Sequence, residues 1–135
     1  MLYKQFHDLN LSRLGLGAMR LPKLEGQGEK INEGKARELV DYAYQKGVNY
    51  FDTAYRYHAG GSETFLGKAL EQYPRDTFYF ATKMPGHMMA YENGAFKFTS
   101  LLAHAPPRSP QEVFEEQLYK CRLDYFDFYL LHNLC

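Results

Sequence analysis

Four polar side chains that could together transfer a proton lie far apart in this 135-residue sequence: Asp52, Tyr57, Lys83 and His132. Asp52, Lys83 and His132 each end an apolar segment typical of a buried strand, and Tyr57 follows Asp52 by five residues. A tyrosine hydroxyl can give up a proton, a lysine ammonium favours the ionised form of a nearby tyrosine, and a carboxylate keeps a lysine charged. A histidine can hydrogen-bond a substrate oxygen. Because ligands bind where parallel strands end, we expect one proton-transfer site.

Each of these residues also has an ordinary structural alternative. Taken alone, His132 is more often structural than catalytic, Lys83 is more often a solvated strand end, and Asp52 could cap a turn. Tyr57 is one of twelve tyrosines and by itself would be a packing residue. The prediction of a site therefore depends on the four residues as a set.

The segments that must position these side chains alternate between strand and helix patterns. Apolar strand patterns occur at 14–19, at 48–51, from 78 and at 124–132, and amphipathic helix patterns occur at 33–46, at 62–70 and from 109. Asn32, Ser62 and Ser109 are polar residues suited to cap the three helices. This order predicts an α/β fold with a parallel sheet. Periodicity leaves open whether the sheet is doubly wound or part of a barrel, and the chain has roughly half of the ~250 residues of a complete barrel.

The charge balance and the apolar runs argue against several classes of function. Sixteen basic residues balance sixteen acidic ones, so no net field would draw the protein to nucleic acid or to an anionic membrane. No apolar run approaches the ~20 residues of a spanning helix, and the N-terminus lacks a signal-peptide core, which predicts a soluble cytoplasmic protein. Cys121 and Cys135 indicate no disulfide framework, and His87 and His104 have no companion ligands, so we expect no metal.

Five segments carry a resemblance to a known family, at 12–22, 47–57, 62–70, 81–83 and 124–132. In this order they resemble the N-terminal half of an aldo-keto reductase, in particular the bacterial branch whose longer members carry an iron–sulfur segment near the C-terminus. The resemblance implies that residues 1–135 form a partial (β/α)₈ TIM barrel, with about its first four strands and three helices. The iron–sulfur cysteines of those longer relatives are not present in this chain.

The resemblance also implies a reaction on a small carbonyl substrate. Aldo-keto reductases reduce an aldehyde or ketone to an alcohol with NADPH or NADH, and their Asp, Tyr, Lys and His tetrad falls here on Asp52, Tyr57, Lys83 and His132. In this assignment Tyr57 is the proton donor, Lys83 favours its ionised form, and His132 orients the substrate carbonyl.

The resemblance implies few cofactor contacts within this chain. Met19 and Arg20 lie just past the first strand and are candidates, with Asp52, for contact with the nicotinamide cofactor. In the family the phosphates of the cofactor are held mainly by loops after the last strands, and those loops lie outside this chain. The residues that would choose between NADPH and NADH also lie outside it.

The segment 86–108 departs from the family pattern and reads as an insertion above the strand ends. It fits either a substrate lid or a variable surface loop without a role. His58, beside Tyr57, could line the pocket, although a solvated loop position is slightly favoured. Gly15 and Gly17 are interpreted as packing space at the barrel mouth.

A second function from a different class stays open. A half barrel would expose two sheet edges and an apolar face, and both features favour association. The chain, which looks truncated beside a complete barrel, could therefore be a non-catalytic half-barrel module that associates with itself or with a protein partner.

Overall fold

The computed structural model describes residues 1–98 and 108–133. Its strands and helices, in chain order, are β1 (Tyr3–Phe6), β2 (Leu9–Ser12), β3 (Leu16–Gly17), α1 (Glu33–Gln45), β4 (Tyr50–Asp52), α2 (Gly61–Leu70), β5 (Tyr79–Met84), β6 (Met89–Glu92), β7 (Ala95–Phe98), α3 (Pro110–Cys121) and β8 (Phe128–Leu131). No helix within these described ranges is long and apolar enough to cross a membrane.

The central sheet contains β3, β4, β5 and β8 in that spatial order, and every neighbouring pair is parallel. The register places Gly17 beside Asp52, Asp52 beside Ala81, and Lys83 beside Leu130. The strands therefore follow one another in chain order, without the reversal of order that a doubly wound sheet contains. The predicted α/β class is confirmed, and the architecture is that of a partial (β/α)₈ barrel.

The first predicted strand is shorter than the sequence pattern indicated. The pattern covered 14–19, whereas β3 ends at Gly17 and a 3₁₀ turn follows over Ala18–Arg20. The packing interpretation of the two glycines is supported for Gly15, because a Cβ there would lie 3.1 Å from the Tyr50 ring. It is wrong for Gly17, because a Cβ there would meet nothing within 4 Å.

The helices pack on the sheet through one continuous apolar core. Phe51 of β4 and Phe80 of β5 are fully buried, and they share this core with Val40 of α1 and Leu66 of α2. Full burial of each large apolar side chain stabilises the fold by ~1.5–3 kcal/mol. This layer therefore fixes the strands whose ends carry the candidate site.

Two of the three predicted helix caps are confirmed. The Asn32 side chain accepts a hydrogen bond from the main chain of α1, and Ser109 forms a capping box at the start of α3. The third cap is wrong, because Gly60, with a φ of 91°, precedes α2. Ser62 instead lies inside α2, where its buried hydroxyl donates to the carbonyl oxygen of Ala18 at 2.9 Å.

The described part of the segment 86–108, which the sequence predicts to be an insertion, contains an antiparallel hairpin of β6 and β7. Its turn residues, Asn93 and Gly94, both have positive φ, as a two-residue Asn-Gly turn requires. Met89 and Phe96 line an apolar cavity of about 570 Å³ together with Leu131 of β8. The hairpin therefore lies across this cavity from the edge strand β8.

Candidate active site

Asp52 and Lys83 form a close ion pair at the ends of β4 and β5. The ammonium Nζ of Lys83 lies 2.7 Å from Oδ1 and 2.6 Å from Oδ2 of Asp52, and 2.7 Å from the carbonyl oxygen of Thr53. An ammonium group has three donors, and these three oxygens can take up all of them. The lysine and aspartate side chains are 13% and 27% exposed, so solvent screens their attraction only in part. The direction of the ammonium is therefore fixed by the protein.

Tyr57 and His132 lie beside this ion pair. The Lys83 Nζ atom is 5.0 Å from the centroid of the Tyr57 ring. The rings of Tyr57 and His132 meet edge to face, with centroids 5.8 Å apart. The main-chain N–H of His132 donates to the carbonyl of Met84 at 2.9 Å, which ties the residue to the end of β5. The structure thus brings the four predicted side chains together, and their catalytic roles stay predictions.

The loop that carries Tyr57 is held by the next residue, His58. The His58 side chain is 1% exposed; its Nε2 accepts from the main-chain N–H of Leu21 at 3.0 Å, and its Nδ1 lies 3.1 Å from the carbonyl oxygen of Glu29. Because Nε2 accepts, Nδ1 carries the proton and donates it to that carbonyl. The favoured reading of His58 as a solvated loop residue is wrong, since its ring joins three chain segments.

The Tyr57 loop also has an uncommon main-chain conformation. His58 and Ala59 both have a φ of 53°, and Gly60 has a φ of 91°. Residues with a Cβ occupy this left-handed region at a cost of about 1–2 kcal/mol each. The buried contacts of the His58 ring offset part of that cost and keep Tyr57 next to Lys83.

The surroundings of His132 favour its neutral form. Burial lowers the pKa of His132 below its ordinary value, the charges of Lys83 and His87 lower it further, and Asp52 opposes these effects. A neutral imidazole can donate one hydrogen bond and accept another. Such a ring can bind the oxygen of a carbonyl group without competing with Tyr57 as an acid.

The protonation of His132 should follow the charge on Lys83. We expect its NMR titration midpoint to lie below that of an unfolded histidine, and we expect Lys83→Met to raise it. At a pH between the folded and the unfolded midpoint of His132, the unfolded chain binds more protons than the folded protein. The contribution of His132 to the free energy of unfolding is therefore present above the unfolded pKa and is lost as the pH falls through the folded pKa. An equal midpoint in Lys83→Met and in the exposed control Lys35→Met would contradict this account.

One residue of the described part of the insertion, His87, reaches the site. Its ring centroid lies 5.9 Å from that of His132, at an interplanar angle of 87°, and the residue is exposed. Sequence reasoning considered His87 only as a metal ligand, and no pattern in the chain pointed to its place here. The lid role of 86–108 stays a prediction.

Met19 and Arg20 lie beyond the C-terminal ends of the central strands, at the same end of the sheet as the Asp52–Lys83 ion pair. They follow β3, whose last residue Gly17 pairs with Asp52, and both side chains are exposed. This position leaves them accessible to a ligand above the strand ends. Their contact with a cofactor, like that of Asp52, stays a prediction.

No cluster of three or more potential metal ligands occurs in the part of the chain that the structure describes. Cys121 is a free and buried cysteine, and burial raises the pKa of its thiol well above the ordinary value. His104 and Cys135 lie outside the described residues. The site brings the ammonium of Lys83 next to the ring of Tyr57, which in turn contacts the imidazole of His132.

Comparison with known proteins gives a consistent result. A model of the Aldo/keto reductase family matches residues 13–134. The probable aldo-keto reductase 1 of Glycine max is 29% identical over 124 residues, which cover 92% of this chain and 33% of the relative. The NADH-specific methylglyoxal reductase of Escherichia coli (strain K12) is 30% identical over 132 residues, which cover 93% of this chain and 39% of the relative.

Solved structures agree with the sequence relatives. The holo form of an aldo-keto reductase from Bacillus halodurans has a TM-score of 0.68 and 29% sequence identity, and the match covers 97% of this chain and 40% of that one. The chain therefore spans between about a third and two fifths of the length of these relatives.

Proposed function

Because this chain belongs to the aldo/keto reductase family, we propose that it carries the proton-transfer half of a carbonyl reductase site. In this proposal the protein reduces an aldehyde or ketone to the corresponding alcohol with NADPH or NADH. The activity of the whole protein is part of the proposal, since the chain covers only part of the length of its relatives.

The observation that carries the proposal is the placement of a fixed ammonium beside Tyr57. Asp52 and Thr53 hold Lys83 with three short contacts, and the ammonium lies 5.0 Å from the Tyr57 ring. In this proposal the ammonium, 5.0 Å from the ring centroid, stabilises the phenolate that remains once the hydroxyl has given up its proton. Tyr57 is therefore the residue best placed to act as a general acid.

The proton and electron balance assigns a role to each residue. A bound nicotinamide cofactor would supply the hydride that the carbonyl carbon takes up. Tyr57 then gives its hydroxyl proton to the carbonyl oxygen, so the product is a neutral alcohol and the tyrosine is left as phenolate. Lys83 stabilises that phenolate, and the neutral ring of His132 holds the oxygen in reach of the hydroxyl.

The residues at the strand ends fit a nicotinamide cofactor only at its reactive ring. Met19 and Arg20 are exposed at the same edge as Asp52, where a flat ring could rest against them. The E. coli relative is named as NADH-specific, which supports a nicotinamide cofactor for the family. The choice between NADPH and NADH remains open in this proposal.

The proposal is tested by titrating NADPH and NADH separately against the purified protein. The chain contains no tryptophan, so enhancement of the cofactor's own fluorescence is the direct readout. We expect binding of at least one cofactor, and its oxidation when a small aldehyde is added. A sample without aldehyde serves as the control for slow cofactor loss.

Absence of binding at millimolar cofactor would reject the reductase proposal for this chain. Analytical ultracentrifugation on the same sample would then test the self-association predicted from the exposed sheet edges. An oligomer without cofactor binding would favour the non-catalytic half-barrel module, and a monomer without it would support neither function.

A further inference from the structure

The main-chain carbonyl of Lys83 has no residue of β4 opposite it to donate a strand hydrogen bond. Successive carbonyls of a strand point to opposite neighbours. The carbonyl of Met84 accepts from His132 on the β8 side, while the carbonyl of Ala81 accepts from Thr53 on the β4 side. The carbonyl of Lys83 therefore points to the β4 side, where β4 has already ended at Asp52.

A side chain from α3 takes the place of the missing strand. Gln117 is fully buried, and its Nε2 donates to the carbonyl oxygen of Lys83 at 3.1 Å. The same nitrogen donates to Oε1 of Glu63 at 2.6 Å. Because a carbonyl and a carboxylate both accept, the NH₂ side of the amide must face these two groups. The remaining oxygen of Gln117 accepts from the hydroxyl of Tyr129 at 2.6 Å.

Glu63 fixes this amide from the other side. Its carboxylate is fully buried on α2, and it accepts from the hydroxyl of Thr82 at 2.7 Å and from the ammonium of Lys120 at 2.8 Å. A buried carboxylate that lost one of these donors would carry a large desolvation cost. The arrangement therefore resists rotation of the Gln117 side chain.

We propose that Gln117 is a positioning residue for the candidate site: its amide, fixed by Glu63, holds the main chain at Lys83 so that the ammonium reaches Asp52 and Thr53 beside Tyr57. This inference rests on the proposed function, since it assumes that Lys83 assists proton transfer. It extends the site from the strand ends to the layer between the sheet and the helices.

The test compares Gln117→Met with Arg75→Met. Methionine has a length similar to glutamine but removes both donors of the amide. Arg75 donates to the carbonyl of Phe78, which immediately precedes β5, at 2.9 Å, and it also pairs with Asp127. Its replacement therefore removes a side-chain contact to a main-chain carbonyl far from the site. Thermal unfolding of both variants measures the loss of stability that does not depend on the site.

Two readouts separate positioning from stability. The Lys83 ammonium lowers the pKa of His132, so its displacement in Gln117→Met should raise the NMR titration midpoint of His132, while Arg75→Met should leave that midpoint unchanged. Where the protein reduces carbonyls, kcat of Gln117→Met should fall on the order of 10- to 100-fold, with little change in KM for the cofactor. The first readout needs no turnover, so failure of the proposed function and failure of this inference are distinguishable.

If Gln117→Met does not fold, a double variant that exchanges the side chains at positions 63 and 117 tests the same proposal. Glu63→Gln combined with Gln117→Glu keeps the buried net charge and the contact between the two side chains, but it places an acceptor opposite the Lys83 carbonyl. The His132 midpoint should then rise as in Gln117→Met. A folded variant of either kind whose midpoint and kcat equal those of Arg75→Met would overturn the proposal.

Discussion

Tyr57→Phe should lower the rate of carbonyl reduction by about 10²- to 10⁴-fold, which is the usual contribution of a positioned general acid. The substitution removes one hydroxyl and keeps the ring, whose contacts with Lys83 and His132 do not depend on that oxygen. The fold and cofactor binding should therefore be preserved. Steady-state oxidation of the cofactor with a small aldehyde gives the rate, and cofactor fluorescence gives the affinity.

The matched control for this variant is Tyr55→Phe. The Tyr55 hydroxyl lies 3.2 Å from Glu116, and burial raises the pKa of Tyr55 to about 12, so this residue is a poor acid. Loss of its hydroxyl should leave turnover within about twofold of the unaltered protein, as for most substitutions away from a site. If Tyr57→Phe kept the turnover of Tyr55→Phe, the assignment of the acid to Tyr57 would be wrong.

Gly67→Ala should strongly destabilise the fold. A Cβ at Gly67 would lie 2.5 Å from the carbonyl carbon and 2.7 Å from the Cα of Cys121, and closer still to its carbonyl oxygen. All three atoms belong to the main chain of α3, so no side chain can move aside. We expect a loss near the upper end of the ~1–3 kcal/mol typical of overpacking.

Unfolding by heat or urea measures this loss, and Gly34→Ala is its control. Gly34 is an exposed position within α1, where a Cβ would meet only the Asn32 side chain at 3.6 Å. Alanine is favoured over glycine inside a helix by roughly 0.5–1 kcal/mol, so the control should be neutral or slightly stabilising. Equal stability of the two variants would show that α2 and α3 can separate without cost.

The sequence predicts the structure well where the role of a residue is set by its near neighbours in the chain. The apolar residues that recur at helical spacing within 62–70 are all buried in α2: Phe65, Leu66, Ala69 and Leu70. Apolar runs that stop at a polar residue mark the ends of strands. This pattern predicts that Asp52, Lys83 and His132 lie at the same end of the sheet. The Asn93-Gly94 pair, with Tyr91 and Phe96 on either side, is a hairpin signal in the sequence, and the structure forms the β6–β7 hairpin there.

The sequence was uninformative where the role of a residue depends on distant segments. His58 is buried only because the chain around Leu21 and Glu29 returns to it. Gln117 is a single polar residue within the third helix pattern, and its contact with Lys83 can be foreseen only once the end of β4 is known. Ser62 has a good capping residue type, but Gly60 can adopt the left-handed conformation that the chain needs before α2.

The left-handed run at His58 and Ala59 has a consequence for how the site would respond to a substrate. A conformation that costs free energy persists only when the surrounding contacts determine it, and here the buried ring of His58 supplies those contacts. The cost of placing Tyr57 is then met during folding, before any ligand arrives. The site is preorganised in this respect, so the phenol would not have to reorganise as charge develops on the substrate oxygen.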